Sequence, residues 1–275
     1  MIINADSAQV YSDLPILSAQ PSASEMASAP HQLFGYLDGS ESCSAARWAQ
    51  DARAAISAAH HAGRLPVLVG GTGLYLRTLL DGIAPIPEIS AEIRADVRAL
   101  PTEQAAMALA REDAALFAML SPNDDSRIKR GLEVLRSTGQ SLLHWRAEKQ
   151  GGIADQIALH PVLLLPPRDW LHDRCNQRFQ DMMTSGAVAE VQALLARDLP
   201  ADAPVLRAIG VPEISAMLDG SISQDEAIFR AQASTRQYAK RQYTWFRNQS
   251  PPEWIRFESE FNDSKMMIFD RLLQF

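Results

Sequence analysis

The clearest pattern of apolar and polar positions along the chain lies at residues 65–82, LPVLVGGTGLYLRTLLDG. Leu65–Val69 is an apolar run too short for a helix, and it predicts a strand that is buried on both faces. Gly70–Gly73 follows directly, and leucines then recur at helical spacing. The pattern therefore predicts a strand, a glycine turn and a helix, the arrangement in which α/β proteins build a site at the carboxyl end of the sheet.

The glycine turn has two interpretations. Glycines let backbone N–H groups approach an anion, and a helix N-terminus adds partial positive charge, so the turn is a candidate phosphate site. Thr72 is its only hydroxyl and the natural donor to a phosphate or a leaving oxygen. The alternative is an ordinary strand-to-helix connection whose glycines permit tight packing. The pattern alone leaves both interpretations open.

The chain begins with a second strand-like apolar run, and two polar residues follow where that strand is expected to end. These are Asp6 and Ser7. A carboxylate at such a position either caps a helix, which is the commoner role, or acts as a base in a site. The residues themselves allow both roles.

The middle of the chain reads as helical. After a boundary at Ile83–Pro87, the pattern predicts helices at residues 91–100, 102–112, 113–120 and 125–137, and no strand before about Arg146. We therefore predict an α/β core at residues 1–87 and 155–275 with a helical insertion domain at residues 88–154. The basic run Ser126–Arg130 lies in this insertion, and a solvated helix face is its alternative interpretation.

A second buried-strand pattern at residues 157–165 precedes a helix predicted at residues 169–184. Arg174 and Arg178 lie one turn apart on the same face of that helix. Planar guanidiniums at this place suit a clamp on a phosphate chain. Surface salt bridges to Asp173 or Asp181 are the alternative.

The last long helix is predicted at residues 223–247, and its second half, TRQYAKRQYTWFR, interleaves cations with aromatic rings. Cations bind phosphates and aromatic rings stack on unstacked bases, so this half is a candidate nucleic-acid surface. The alternative is a helix that packs its rings in the core and solvates its charges. A final strand at residues 254–257 and a closing helix at Ser264–Leu273 complete the predicted elements.

Composition narrows the class of protein. The 275 residues are 47% hydrophobic and 21% charged, as in ordinary globular proteins, and no apolar run approaches the length of a membrane span. The first residues lack a signal peptide, and two cysteines without ligand spacing suit a reducing cytoplasm. A net charge of −7 argues against an indiscriminate nucleic-acid coat but allows a local basic groove.

Seven segments in a fixed order resemble the tRNA dimethylallyltransferases, also called tRNA isopentenyltransferases. They are NADSAQVY at 4–11, APH at 29–31, SAARW at 44–48, LVGGTGLY at 68–75, PNDDSRIKRGLEV at 122–134, RCNQRF at 174–179 and TRQYAKRQYTWFR at 235–247. The resemblance implies an α/β fold with a P-loop NTPase/kinase-like parallel sheet, flanking helices and an all-helical insertion. It implies transfer of a dimethylallyl group from dimethylallyl diphosphate to N6 of the adenosine 3′ to the anticodon, in tRNAs that read codons beginning with U.

The resemblance also implies three catalytic roles. Asp6 matches the general base for the adenine amine, and with an ordinary pKa it is expected to act mainly by positioning and charge stabilisation. Thr72 matches the donor to the oxygen that joins the allyl group to the diphosphate. Arg178 matches the cation that neutralises the departing diphosphate, where one donor is typically worth ~3–4 kcal/mol. Gly70, Gly71 and Arg174 complete the expected diphosphate site.

The implied partners are the tRNA anticodon stem-loop and dimethylallyl diphosphate, with no membrane, and the protein is expected to be a cytoplasmic monomer. The target base must leave its stack to reach the site. At Gly210 the sequence continues with Val-Pro, where the family usually has Tyr-Lys. The implied tRNA contacts are Asp6, Ser7, Ala8, Gln9, Thr72, Arg94, Ser126, Arg127, Ile128, Lys129, Arg130, Arg207, Gly210, Lys240, Arg241, Gln242, Trp245 and Arg247.

One element of the family pattern is not among these residues. The family carries a P-loop, G-x-T-x-x-G-K-[ST], before the segment that matches residues 4–11, and there it cradles the diphosphate and holds Mg²⁺. Mg²⁺ is therefore expected from the resemblance, while its P-loop ligand and the first strand of the sheet are missing here and no residue is assigned to a metal. We expect Met1 to be an internal methionine, or the sequence to be truncated, with the motif upstream.

Two other functions compete with this one. The first is a catalytically inert tRNA-binding form that lacks the diphosphate site. The second is a relative of the P-loop nucleotide kinases, which the core fold alone suggests and which the basic aromatic helix disfavours.

Overall fold

A computed structural model describes residues 1–260, so the closing helix predicted at Ser264–Leu273 lies outside the described residues. The chain forms two compact units. The first contains Met1–Leu79 and the chain from Ile157 onward, and the second is Leu80–Gln156. No helix in the described part of the chain is long and apolar enough to cross a membrane.

The first unit is built on parallel strands. Strand β1 (Ile2–Asn4) lies between β2 (His31–Gln32) and β3 (Val67–Val69), and all pairings are parallel. A second parallel pair joins β4 (Val162–Leu164) to β5 (Ile255–Phe257). Because parallel strands require crossover connections, helices separate them along the chain. The predicted class, an α/β fold with parallel sheet and flanking helices, is confirmed.

Within residues 1–260, seven α-helices accompany these strands. Helix α3 begins in the first unit and ends at the start of the second. The helices are α1 (Ala23–Ser28), α2 (Ala45–His61), α3 (Gly73–Asp81), α9 (Arg168–Thr184), α10 (Ala187–Leu195), α11 (Val211–Leu218) and α12 (Gln224–Gln249), with a short 3-10 helix at Pro204–Arg207.

The core beneath β1 is centred on Trp48 of α2. This side chain is fully buried and stacks on Tyr75 of α3, with ring centroids 4.7 Å apart. Its Nε1–H donates to the backbone oxygen of Asn4 at 2.9 Å, which satisfies the polar end of a buried indole. The contact fixes α2 and α3 against the carboxyl end of β1.

The prediction that Leu65–Val69 is a strand buried on both faces is wrong. The strand is shorter, and Leu65 and Val69 are 49% and 52% exposed. The cause is the position of β3 in the sheet, since it pairs with β1 on one side and no described strand covers its other edge. Leu164 of β4 is likewise 54% exposed.

The second unit is helical, with a single isolated antiparallel bridge between Ile83 and Gln150. Its core contains Leu109, Leu116 and Leu132, all fully buried. The helices are α4 (Ala91–Ala99), α5 (Thr102–Glu112), α6 (Ala114–Phe117), α7 (Asp125–Thr138) and α8 (Leu142–Ala147), followed by a 3-10 turn at Ala154–Gln156. Helices α4 to α7 lie within a few residues of the four predicted segments, whereas α8 and the 3-10 turn were not among them.

Candidate active site

The backbone of Asp6 is held by the side chain of Asn4, two residues earlier at the end of β1. Asn4 is fully buried, and its Oδ1 accepts the N–H of Asp6 at 2.8 Å. Its Nδ2 donates to the backbone oxygens of Asp6 and Leu33, both at 3.0 Å. This role was not predicted from the sequence, although an amide at the last position of an apolar strand was a visible signal.

Burial governs the chemistry of the Asp6 carboxyl group. Loss of solvent raises its pKa, while the backbone N–H groups of Ala8 and Gln9 and the positive charge of Arg178 lower it in part. The N–H of Ala8 donates to Asp6 Oδ1 at 2.8 Å. The expected ordinary pKa is therefore wrong, and the raised value makes this carboxylate a better proton acceptor than a solvated aspartate.

Thr72 links the ends of β1 and β3. Its N–H donates to the oxygen of Ala5 at 3.1 Å, and its Oγ1 accepts the N–H of Ser7 at 2.9 Å. The Thr72 hydroxyl donates its one proton to Ser7 Oγ at 3.2 Å. Thr72 can therefore donate to a bound oxygen by giving up a single hydrogen bond, while its backbone stays anchored beside Asp6.

Two of the glycines around Thr72, Gly70 and Gly73, are required by packing. A Cβ at Gly70 would overlap the backbone of Ala5, and a Cβ at Gly73 would overlap the ring of Trp245. At Gly71 it would overlap Gln242, whose Nε2 donates to the Gly71 oxygen at 2.9 Å. Tight packing thus accounts for Gly70 and Gly73, whereas the flexible end of Gln242 could yield to a side chain at Gly71. The diphosphate contacts expected of Gly70 and Gly71 stay a prediction.

One face of α12 covers the glycine turn. Tyr238, Gln242 and Trp245 recur at helical spacing, and the last two contact the turn. Burial and the charge of Asp6 raise the pKa of the Tyr238 hydroxyl, and the polar side chains beside it, including that of Thr72, offset part of this rise. Tyr238 was not among the predicted site residues. Its ring was one of several in the interleaved segment, and only the fold shows which one faces the site.

Arg178 projects from the exposed face of α9, and its charge acts on Asp6. Within residues 1–260, neither Arg174 nor Arg178 lies within ion-pair distance of a carboxylate, so the salt-bridge alternative is wrong. The guanidinium of Arg174 lies 4.9 Å from the ring centroid of Trp170. Both guanidiniums are therefore free to take an anion.

Helices α9 and α12 are joined through Asn176. Its Oδ1 accepts from Arg236 at 2.5 Å, and its backbone oxygen accepts from Gln232 at 3.0 Å. The buried face of α9 carries Cys175 and Phe179. These contacts fix α9, which carries the two arginines, to α12, which contacts the Thr72 turn.

Several predicted tRNA contacts already have partners within the first unit. Gln9 donates to the oxygens of Ser18 and Ala19 at 3.1 and 2.7 Å. Arg207 donates to the oxygen of Asp202 at 3.0 Å. Gly210 has a left-handed φ of 99°, and its N–H donates to Glu213 at 2.9 Å. By contrast, the predicted contacts on α12 that do not contact the glycine turn are exposed; they are Lys240, Arg241 and Arg247.

The remaining predicted contacts, Arg94 and the run Ser126–Arg130, belong to the second unit. Ile128 in this run is fully buried in the core of that unit. A contact between its side chain and RNA is therefore ruled out in this structure. Three cations of the run form ion pairs with carboxylates on α7 or at its N-terminus.

Comparison with known sequences gives one family. The profile described as IPP transferase matches residues 9–249. The tRNA dimethylallyltransferase of Sphingopyxis alaskensis is 60% identical over 255 residues, which cover 93% of this chain and 83% of that protein. That of Erythrobacter litoralis is 56% identical over 275 residues, covering 100% of this chain and 86% of that protein.

Solved structures agree with the sequences. The full-length tRNA isopentenylpyrophosphate transferase from Bacillus halodurans matches with a TM-score of 0.68 and 32% identity, covering 98% of this chain and 85% of that one. A eukaryotic dimethylallyltransferase acting on tRNA matches with a TM-score of 0.74 and 26% identity, covering 89% and 63% of the two chains.

Proposed function

Because this chain belongs to the IPP transferase family, we propose that it transfers a dimethylallyl group from dimethylallyl diphosphate to tRNA. Relatives 60% and 56% identical to it are tRNA dimethylallyltransferases. The acceptor we propose is N6 of the adenosine 3′ to the anticodon, in tRNAs that read codons beginning with U. The observation that carries this proposal is the placement of a partly buried carboxyl, Asp6, beside Thr72 at two adjacent strand ends.

Asp6 acts on the acceptor. The N6 lone pair forms a bond to the first carbon of the allyl group as the bond from that carbon to the diphosphate oxygen breaks. The nitrogen then carries an extra proton, which Asp6 accepts. The raised pKa of this partly buried carboxyl suits the transfer, and the Ala8 N–H holds its Oδ1 in place.

Thr72 and Arg178 act on the leaving group. The electron pair of the broken bond stays on the bridging oxygen, to which the Thr72 hydroxyl donates in place of Ser7. The Arg178 guanidinium, with no carboxylate partner in the described residues, takes the diphosphate charge, with Arg174 one turn away. Donors already in place where charge develops lower the barrier because little reorganisation is needed.

The exposed cations of α12 suit the RNA. Lys240, Arg241 and Arg247 are exposed on α12, the helix whose Gln242 and Trp245 contact the Thr72 turn. Phosphate contacts at these positions would hold the anticodon arm while the target base leaves its stack. We propose that the protein acts in the cytoplasm as a monomer, and size-exclusion chromatography tests its oligomeric state.

The resemblance implies Mg²⁺, but the described part of the chain offers no set of metal ligands. No three His, Cys, Asp or Glu side chains there lie close enough together to hold a metal ion. The carboxyl at the centre of the site, Asp6, is partly buried and accepts hydrogen bonds from backbone N–H groups. We therefore assign no step to the ion.

Transfer of labelled dimethylallyl to an unmodified anticodon stem-loop tests the proposal. We expect transfer by the wild type, and a loss of at least about 100-fold in kcat for Asp6→Asn and Arg178→Gln. Arg230→Gln is the matched control, since Arg230 is an exposed arginine paired with Glu226 on α12. Binding of the stem-loop without transfer would favour the inert tRNA-binding form, and phosphorylation of a free nucleotide would favour the kinase relative.

A further inference from the structure

Two arginines of the second unit share one buried carboxylate. Only 6% of the Glu133 side chain is exposed, and its Oε1 lies 3.2 Å from Nε of Arg98 on α4. Its Oε2 lies 3.4 Å from Nη1 of Arg130, on the same helix as Glu133. The two arginine side chains are 63% and 42% exposed. A single buried group thus fixes two solvent-facing guanidiniums from different helices.

The charges of this trio do not cancel. Two guanidiniums and one carboxylate leave one net positive charge, held at the surface of α4 and α7. Neighbouring cations are neutralised one to one, in the pairs Arg127–Asp124 at 3.4 Å and Lys129–Asp125 at 3.0 Å. Within the basic run of α7, Arg130 is therefore the cation whose carboxylate partner is shared with a second arginine.

Free donors accompany this charge. A guanidinium has five N–H donors in one plane, and Arg98 and Arg130 each direct one nitrogen at Glu133. The donors left over on two fixed guanidiniums match the two unshared oxygens and the single charge of a phosphodiester. Arg94 lies one turn before Arg98 on the same face of α4 and extends the positive surface.

We propose that Arg98 and Arg130, positioned by Glu133, form a clamp for one phosphodiester of the substrate RNA backbone. The inference rests on the proposed function, which supplies RNA as the partner. It adds Arg98, which the resemblance did not implicate, and it gives Glu133 a positioning role. The competing interpretation is that the arginines serve only to neutralise a buried carboxylate.

Binding of an unmodified anticodon stem-loop RNA at several salt concentrations tests the clamp. We expect Arg98→Gln to weaken binding several-fold at low salt and to reduce the slope of log affinity against log salt by about one. The matched control is Arg136→Gln, which removes the same charge from α7, where Arg136 forms a closed pair with Glu112 at 2.6 Å. An unchanged slope in Arg98→Gln, or an equal change in Arg136→Gln, would overturn the proposal.

A second variant tests the positioning role. Glu133→Gln keeps both guanidiniums and makes the surface more positive, so charge alone predicts tighter RNA binding. We expect weaker binding, because the guanidiniums lose the charge that orients them, with circular dichroism confirming a helical fold. Tighter or unchanged binding by folded Glu133→Gln would refute that role. Wild-type protein that binds no RNA would contradict the proposed function, whereas normal RNA binding and transfer in Arg98→Gln would contradict the clamp alone.

Discussion

The side-chain oxygen of Asn4 accepts the backbone N–H of Asp6 at 2.8 Å, while the same amide donates to the Asp6 oxygen at 3.0 Å. A residue inside the sheet therefore fixes both the backbone N–H and the backbone C=O of the proposed base. We expect Asn4→Ala to lower stability by about 2–4 kcal/mol, because it leaves buried polar backbone groups without partners. Urea unfolding measures this loss. The exposed Gln156→Ala serves as the control, and similar losses for both variants would refute the role of Asn4.

The raised pKa of Asp6 predicts a stability cost at neutral pH. A carboxyl whose folded pKa exceeds its unfolded value favours folding while protonated, and this contribution is lost as pH rises through the folded pKa. We therefore expect Asp6→Asn to be more stable than the wild type at pH 7, although it is inactive. The two proteins should converge in stability below the ordinary value of 3.8. Denaturant titrations across pH provide the measurement, and a less stable Asp6→Asn at pH 7 would contradict it.

The charge of Arg178 lowers the pKa of Asp6 and should therefore set the pH dependence of transfer. Removing that charge in Arg178→Gln raises the pKa further, so the acidic limb of the kcat/KM profile should move to higher pH. Arg174→Gln removes the same charge one turn away and is the matched control, since Arg174 does not contribute to the Asp6 shift. Equal movement of the limb in both variants would show that only general charge matters.

Packing at Gly73 offers a test that does not depend on activity. A Cβ there would overlap the Trp245 ring, so Gly73→Ala should cost about 1–3 kcal/mol through overpacking. The double variant Gly73→Ala with Trp245→Ala should lose less than the sum of the two single variants, because the clash is removed. Thermal unfolding measures all three. Strict additivity would show that the ring does not occupy this space in solution.

Local signals allowed much of the fold to be predicted. Helices α2, α7 and α12 begin or end at residues whose capping chemistry is visible in the sequence: Ser44, Gly139 and Ser223. Asp6 and Thr72 were candidates from their positions after two predicted strands, and the resemblance then chose their roles as base and leaving-group donor.

What could not be predicted depends on contacts distant in the chain. Asn4 donates to the backbone oxygen of Leu33, which is 29 residues away in the chain. The side of α12 that faces the turn is set by the hydrogen bond from Gln242 to the oxygen of Gly71, 171 residues earlier. The exposure of Val69 follows from the order of strands, which an apolar run does not encode. The apolar pattern shows which secondary structure a segment can form. The order in which strands pair decides which of its residues are buried.

The hydrogen bond from Gln242 to the Gly71 oxygen joins the helix of the proposed RNA surface to the turn of the proposed leaving-group donor. Helix α12 carries exposed cations suited to RNA, and the residue after Gly71 is the proposed donor to the leaving oxygen. Trp245 of the same helix lies against Gly73, so α12 contacts the turn on both sides of Thr72. One helix therefore serves both proposed substrates, and a substitution that displaces it should affect both sites.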